Sequence, residues 1–192
     1  MPCLLFMLTL HPNHQKYNMP QTLHIAIIGG GAAGFFTAIE AKRKFPHADI
    51  TIFEKNSKVL AKVEITGGGR CNLTNSFEEI SDLKQAYPRG HKLMKRLFKR
   101  FDYQHAFDWF EENGVPLVTQ EDQCVFPQSQ DSHSIIDCLV NTAKRLGVKI
   151  QCNHQLTAIT ELEDERLLLD FKTSSEIRQI AFHRVAITTG GH

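Results

Sequence analysis

His24-Ile-Ala-Ile-Ile-Gly-Gly-Gly-Ala-Ala-Gly34 decides the fold of this chain. Ile25 to Ile28 form a short unbroken apolar run, the pattern of a strand buried on both faces of a parallel sheet. Gly29, Gly31 and Gly34 follow as G-x-G-x-x-G, and an apolar helical pattern runs from Phe35 to Arg43. In a dinucleotide-binding turn each glycine has its own task. Gly29 permits the tight turn, Gly31 lets backbone approach a pyrophosphate, and Gly34 lets the helix lie close to the strand. The helix start adds free N–H groups and a partial positive charge for phosphates. A second β-rich run, Asp49-Ile-Thr-Ile-Phe-Glu54, ends on a carboxylate twenty residues after Gly34. That is where an acid accepts hydrogen bonds from a ribose. Strand, glycine turn, helix, strand and acid in this order read as a nucleotide site.

Composition narrows the classes. The chain has 192 residues, 42% apolar and 22% charged, with a formal net charge of +1. Those values are ordinary for a globular protein and argue against nucleic acid or an acidic membrane as a general partner. No apolar run approaches the roughly 18 residues of a membrane-spanning helix. Five scattered cysteines, none in C-x-x-C, and ten histidines without H-x-x-x-H spacing suggest neither a disulfide framework nor a metal site. A reducing, cytoplasmic setting is expected. Residues 1–20 read as an extension outside the fold, with Met19 an alternative start. His11 and His14 in it are expected to face solvent.

Beyond Glu54, residues 55–75 show no helical or strand period but hold a second glycine cluster, Thr66-Gly-Gly-Gly-Arg-Cys-Asn72, with Lys62 ahead of it. Consecutive glycines among Thr66, Arg70, Asn72, Thr74 and Asn75 suggest backbone lying against a flat or anionic ligand. Residues 76–147 read as a mostly helical insertion. Within it, Lys92 to Phe101 puts Leu93, Leu97, Phe98 and Phe101 on one face, and the intervening Lys and Arg form a basic stripe taken as a solvated face. Tyr103 to Glu112 is a further helix, with Phe107, Trp109 and Phe110 expected in the core. Two short strands are expected at 115–118 and 124–127, and Ser132 or Ser134 is expected to cap the next helix. From Val148 the pattern turns to strands: 148–152, then a meander over 156–161, 166–172 and 177–182, then His183 to Gly191 as a buried strand. A strand aimed at Thr-Thr-Gly-Gly suggests that more structure would follow His192.

The chain resembles the BaiN-like NAD(P)/FAD-dependent oxidoreductases, also called the aminoacetone-oxidase family of FAD-binding flavoproteins. The resemblance rests on Ile27–Gly34, Glu54-Lys55, Lys62–Asn75 and Ala186–Gly191, with Tyr87-Pro-Arg-Gly90 and Val125-Phe-Pro127 as lesser features. It covers about the first half of a family member. Gln123-Cys124 departs from a Gly-Arg pair. The resemblance implies an α/β fold: a Rossmann-like FAD-binding domain with a parallel sheet, a β-meander crossover and a helical insertion. It implies FAD as cofactor, NAD(P)H as electron donor in the full-length family, and a C-terminal half or second chain completing the fold. Gly29, Gly31, Ala33 and Gly34 would wrap the pyrophosphate, and Glu54 would hold the adenosine ribose with Lys55 beside it. Lys62, Thr66, Gly67, Gly68, Arg70 and Cys71 would line the flavin side. Leu156 would offer backbone to the adenine, and Thr189 and Gly190 would approach from the last strand.

The expected function is a flavoprotein passing hydride through flavin N5 to or from a small molecule that the sequence does not name. A non-catalytic nucleotide-binding module and an NAD-only Rossmann dehydrogenase stay open as alternatives. A disulfide reductase would need a second cysteine soon after Cys71, and residues 72–80 contain none.

Overall fold

A computed structural model describes residues 22–77 and 80–190; the expected extension over residues 1–20 lies outside them. In chain order the elements are β1 (His24–Ile28), α1 (Ala32–Lys44), β2 (Asp49–Phe53), α2 (Ala61–Ile65), β3 (Thr74–Asn75), α3 (Leu83–Ala86), α4 (His91–Phe98), α5 (Tyr103–Glu112), β4 (Leu117–Thr119), β5 (Cys124–Pro127), α6 (His133–Arg145), β6 (Lys149–Gln151), β7 (Gln155–Glu161), β8 (Leu167–Lys172), β9 (Ile177–Phe182) and β10 (Arg184–Ile187). The chain divides into two compact units, residues 22–61 with 139–190, and Lys62–Cys138.

The first unit is a Rossmann-like α/β arrangement. Its parallel sheet has the order β10-β1-β2-β6. β1 and β2 are buried on both faces, which is why they read as continuous apolar runs. One face carries Ile25, Ile27, Ile50 and Ile52, all buried, and α1 closes over β1 and β2 with Phe35, Ala38 and Ile39 fully buried. Lys42, Arg43 and Lys44 stand in the last turn of α1, where cations complement the helix dipole.

The other face meets the antiparallel meander β7-β8-β9. Ala26, Ile28 and Phe53 form one core cluster with Leu169, Phe171 and Phe182. Phe53 stacks on Phe171 at 4.2 Å between centroids and meets the Phe182 ring edge-on at 5.6 Å. Phe171→Leu keeps an apolar side chain but loses the stack, so a destabilisation of about 1–2 kcal/mol is expected in a denaturant titration.

At the start of β1, the His24 N–H donates to Nδ1 of His183, 3.0 Å away, and the two imidazoles stack at 5.5 Å. That bond needs Nδ1 unprotonated. Partial burial, then the neighbouring His24, Arg166 and Arg184, hold the His183 pKa below its ordinary value, opposed weakly by Asp164. The folded state therefore takes up this proton at lower pH than the unfolded chain. The associated stability is present above the unfolded pKa of about 6.5 and is lost as pH falls through the folded value. His183→Gln should flatten the loss of Tm between roughly pH 7.5 and pH 5.5. An unchanged pH profile would remove His183 from this account.

In the second unit β3, β5 and β4 form a small antiparallel sheet in that order. The helices α3 and α5 begin on acids: Asp82 accepts the Lys84 N–H, and Asp102 accepts the His105 N–H in a capping box. α5 buries Trp109 and Phe110, as its spacing predicts, with Phe107 half-buried, and ends at Asn113 before Gly114 at φ 85°. Three local features go beyond the sequence pattern. The stretch 55–75 holds α2 and a 3-10 turn over Thr66–Gly69, elements too short to display a period. Ser132 stands at the N-cap position of α6, its carbonyl accepting the Ile136 N–H at 3.1 Å, while its hydroxyl donates to the Glu64 carbonyl at 3.0 Å and Asp131 accepts the His133 N–H at 2.9 Å. The apolar face of α4 is not buried, since Leu93, Leu97 and the following Phe101 are 37%, 44% and 41% exposed.

Candidate cofactor site

The glycine turn sits at the carboxyl ends of β1 and β2, and its glycines differ in what surrounds them. Gly29 adopts φ 113°, and a Cβ there would lie 2.6 Å from the Thr188 carbonyl oxygen. A Cβ on Gly34 would be driven into the Gly29 carbonyl oxygen and would come within 3.0 Å of Thr188 Oγ1. Both glycines are required by the fold. A Cβ on Gly31 would meet nothing within 4 Å. Gly31 therefore leaves space that packing does not need.

That space lies at the start of α1. Gly31 is the N-cap, supplies no side-chain cap, and no acid occupies the first turn. The N–H groups of Ala32, half-buried Ala33 and Gly34 so have no acceptor within the helix, and the positive end of its dipole is uncompensated. A pyrophosphate fits this arrangement by both shape and charge.

Glu54 follows β2 directly. Its Oε2 accepts the Gly30 N–H at 2.8 Å, and its Oε1 accepts the Asn56 N–H at 2.9 Å and Asn56 Nδ2 at 2.8 Å. The carboxylate thus ties the glycine turn to the end of β2. Oε2 keeps a lone pair for a ribose hydroxyl. Lys55 beside it is exposed. Leu156 is half-buried at the start of β7, an edge strand, against the Phe53–Phe171 cluster. Thr189 and Gly190 (φ 78°) are exposed just past β10.

The second unit holds the other predicted residues. Gly67, Gly68 and Gly69 all adopt left-handed φ, at 59°, 68° and 86°, and Cys71 does so at 62°. A Cβ on Gly67 would lie 2.6 Å from the Asn72 nitrogen and 2.9 Å from Phe126, while one on Gly68 would meet open space. The loop is pinned by Cys71 N–H donating to the Thr66 carbonyl at 3.0 Å and Ser132 N–H donating to the Gly69 carbonyl at 2.9 Å. Arg70 is held from three sides. Its Nε donates to the Gly67 carbonyl at 3.2 Å, a terminal nitrogen donates to Gln130 Oε1 at 3.2 Å, and its guanidinium lies 4.3 Å from the Phe126 ring centre. Lys62, on α2, is exposed. Burial pushes the Cys71 thiol up to about 11, so it is a packed, protonated side chain and a poor nucleophile at neutral pH.

Three participants escape a reading of the sequence alone. Thr188 is 7% exposed, and its hydroxyl lies 2.9 Å from the Ile28 carbonyl and 3.2 Å from that of Gly29, locking β10 to the turn. Gly30 occupies a free position of the motif, yet a Cβ there would lie 2.8 Å from Val59 and 3.0 Å from Glu54. Asn56 holds the Glu54 carboxylate. Only the Asn at two residues past the acid, a spacing suited to a local side-chain bond, was available as a signal.

The HI0933-like protein Rossmann domain matches residues 23–192. The chain belongs to this family. Its cofactor is accordingly FAD. A 3-dehydro-bile acid delta(4,6)-reductase of Clostridium scindens is 30% identical over 135 residues, 70% of this chain and 32% of that protein. A ribosomal RNA dihydrouridine synthase of Haemophilus influenzae is 24% identical over 174 residues, 90% of this chain and 41% of that protein. In structure, a 3-ketosteroid-delta4-(5alpha)-dehydrogenase of Rhodococcus jostii aligns with TM-score 0.65 at 16% identity, covering 86% of this chain and 45% of that one. This likeness concerns the fold. The chain spans 32% and 41% of the length of these two curated relatives. Among the described residues no helix is long and apolar enough to cross a membrane.

Proposed function

We propose that this chain is the FAD-holding part of an NAD(P)/FAD-dependent oxidoreductase that reduces or oxidises a small organic molecule. The observation that carries the reading is the space above Gly31 at an uncapped helix start, with Glu54 fixed beside it. FAD, when bound, supplies hydride chemistry through its N5 atom. The chain's own residues bind and orient. The first turn of α1 takes the pyrophosphate, Glu54 takes the adenosine ribose, and Thr189 and Gly190 face the cofactor from the end of β10. The reductase relative supports an oxidoreductase.

On this reading Arg70 meets the flavin as a fixed cation that favours the anionic reduced ring. Its three holding contacts give it one orientation before any ligand arrives. Arg70→Ala is expected to lower the two-electron potential of bound FAD by about 30 mV or more, the equivalent of a tenfold change in equilibrium. A potential and a flavin affinity both equal to those of the parent would remove Arg70 from the flavin. Failure of the parent to bind FAD at all would instead sink the cofactor reading.

A further inference from the structure

Six cations lie within residues 89–100, Arg89, Lys92, Lys95, Arg96, Lys99 and Arg100, and no acid interrupts them, in a chain whose net charge is only +1. All six are exposed, and among the described residues none makes an ion pair or a side-chain hydrogen bond. Elsewhere in the chain Arg43, Lys149, Arg166 and Arg178 each pair with a carboxylate. Among the described residues, the flanking acids Asp82 and Asp102 are committed, Asp82 to the cap of α3 and Asp102 to the cap of α5 and to His105.

α4 also shows an apolar row. Its inner side is set by Phe98, which meets the rings of Phe77 at 5.3 Å and Tyr87 at 6.2 Å. Leu93 and Leu97, four residues apart on a neighbouring face, remain 37% and 44% exposed, and Phe101, past the end of the helix, sets its ring 5.8 Å from that of His105. Arg96 borders that row by helical spacing, and Arg100 follows in the turn past the helix end. A solvated charged face would explain the cations but not the exposed apolar pair Leu93 and Leu97 in line beside them.

We infer that α4 is a docking surface for an anionic phospholipid bilayer. Such an interface takes both halves of the helix, with the apolar row at the acyl boundary and the cations among the headgroups. Nucleic acid would use the cations alone, because a phosphate backbone offers nothing to Leu93 and Leu97. Exposed aromatics for base stacking are not interleaved with the cations. The inference stands apart from the cofactor reading.

Co-sedimentation of the whole chain with vesicles tests it. Vesicles of phosphatidylcholine mixed with phosphatidylglycerol should bind the protein, pure phosphatidylcholine should not, and added salt should release it. Arg96→Glu/Arg100→Glu and, separately, Leu93→Asn/Leu97→Asn should each weaken binding about tenfold or more. All four positions are exposed, and circular dichroism melts establish that the variants fold. Should either pair unfold, Lys92→Glu/Lys95→Glu and the salt dependence of the parent decide in its place. Absence of binding to the anionic vesicles overturns the inference. So does full retention by Leu93→Asn/Leu97→Asn, or tighter binding to an RNA duplex than to the vesicles.

Discussion

Gly34→Ala should unfold or severely destabilise the first unit, with a loss of about 3 kcal/mol or more. The added methyl would enter the Gly29 carbonyl oxygen and crowd Thr188 Oγ1. Neither neighbour is free to withdraw. Gly29 donates its N–H to the Phe53 carbonyl at 2.8 Å, and Thr188 N–H donates to the Ile28 carbonyl at 2.8 Å. Relief would require α1 to move off β1, exposing the buried side chains of Phe35, Ala38 and Ile39. For a chain of this size each kcal/mol moves Tm by about 2–4 °C, so a drop near 10 °C is expected in a thermal melt. A melt within two degrees of the parent would mean that α1 does not lie on the turn as described.

Gly31→Val should do the opposite, leaving the fold intact and abolishing cofactor binding. The Gly31 backbone has ordinary negative φ, −88°, and a Cβ there meets nothing within 4 Å. Stability should therefore change by less than about 1 kcal/mol. A branched side chain would instead fill the space over the first-turn N–H groups and hold a pyrophosphate away from them. A loss of FAD affinity of about a hundredfold or more is expected by fluorescence titration, since several charge-assisted hydrogen bonds go together. The pair of glycines separates folding from binding within a single turn: one position is filled by the protein, the other is kept open.

The parts of this fold that were legible in advance share one property, a pattern long enough to report its surroundings. β1 and β2 are unbroken apolar runs because both faces of a parallel sheet are covered. The meander shows as three alternating stretches because one face meets Phe53 while the other meets water. Glycine spacing and Glu54 marked the turn because the dinucleotide geometry leaves little freedom there. Shorter features left no trace. α2 has five residues, less than two turns, and the left-handed run Gly67–Gly69 is a backbone conformation that side-chain periodicity cannot register. Thr188 looked like any strand-ending threonine, and its role depends on β10 lying beside β1, a pairing across 160 residues. For α4 the period identified an apolar face correctly but carried no information on whether anything covers it. Asn56 and Gly30 show the same limit on a smaller scale, because each acts through Glu54 and not through a repeat.

The most direct test of the central claim is a parallel titration of the purified chain with FAD and with NAD, followed by flavin absorbance and by calorimetry. A glycine turn with an acid twenty residues on suits either dinucleotide; the family membership selects FAD. The account predicts a yellow one-to-one FAD complex with affinity at least tenfold greater than for NAD, lost in Gly31→Val while the melt is unchanged. Equal or tighter binding of NAD, or a colourless protein that takes up no FAD although it melts cooperatively, would contradict it.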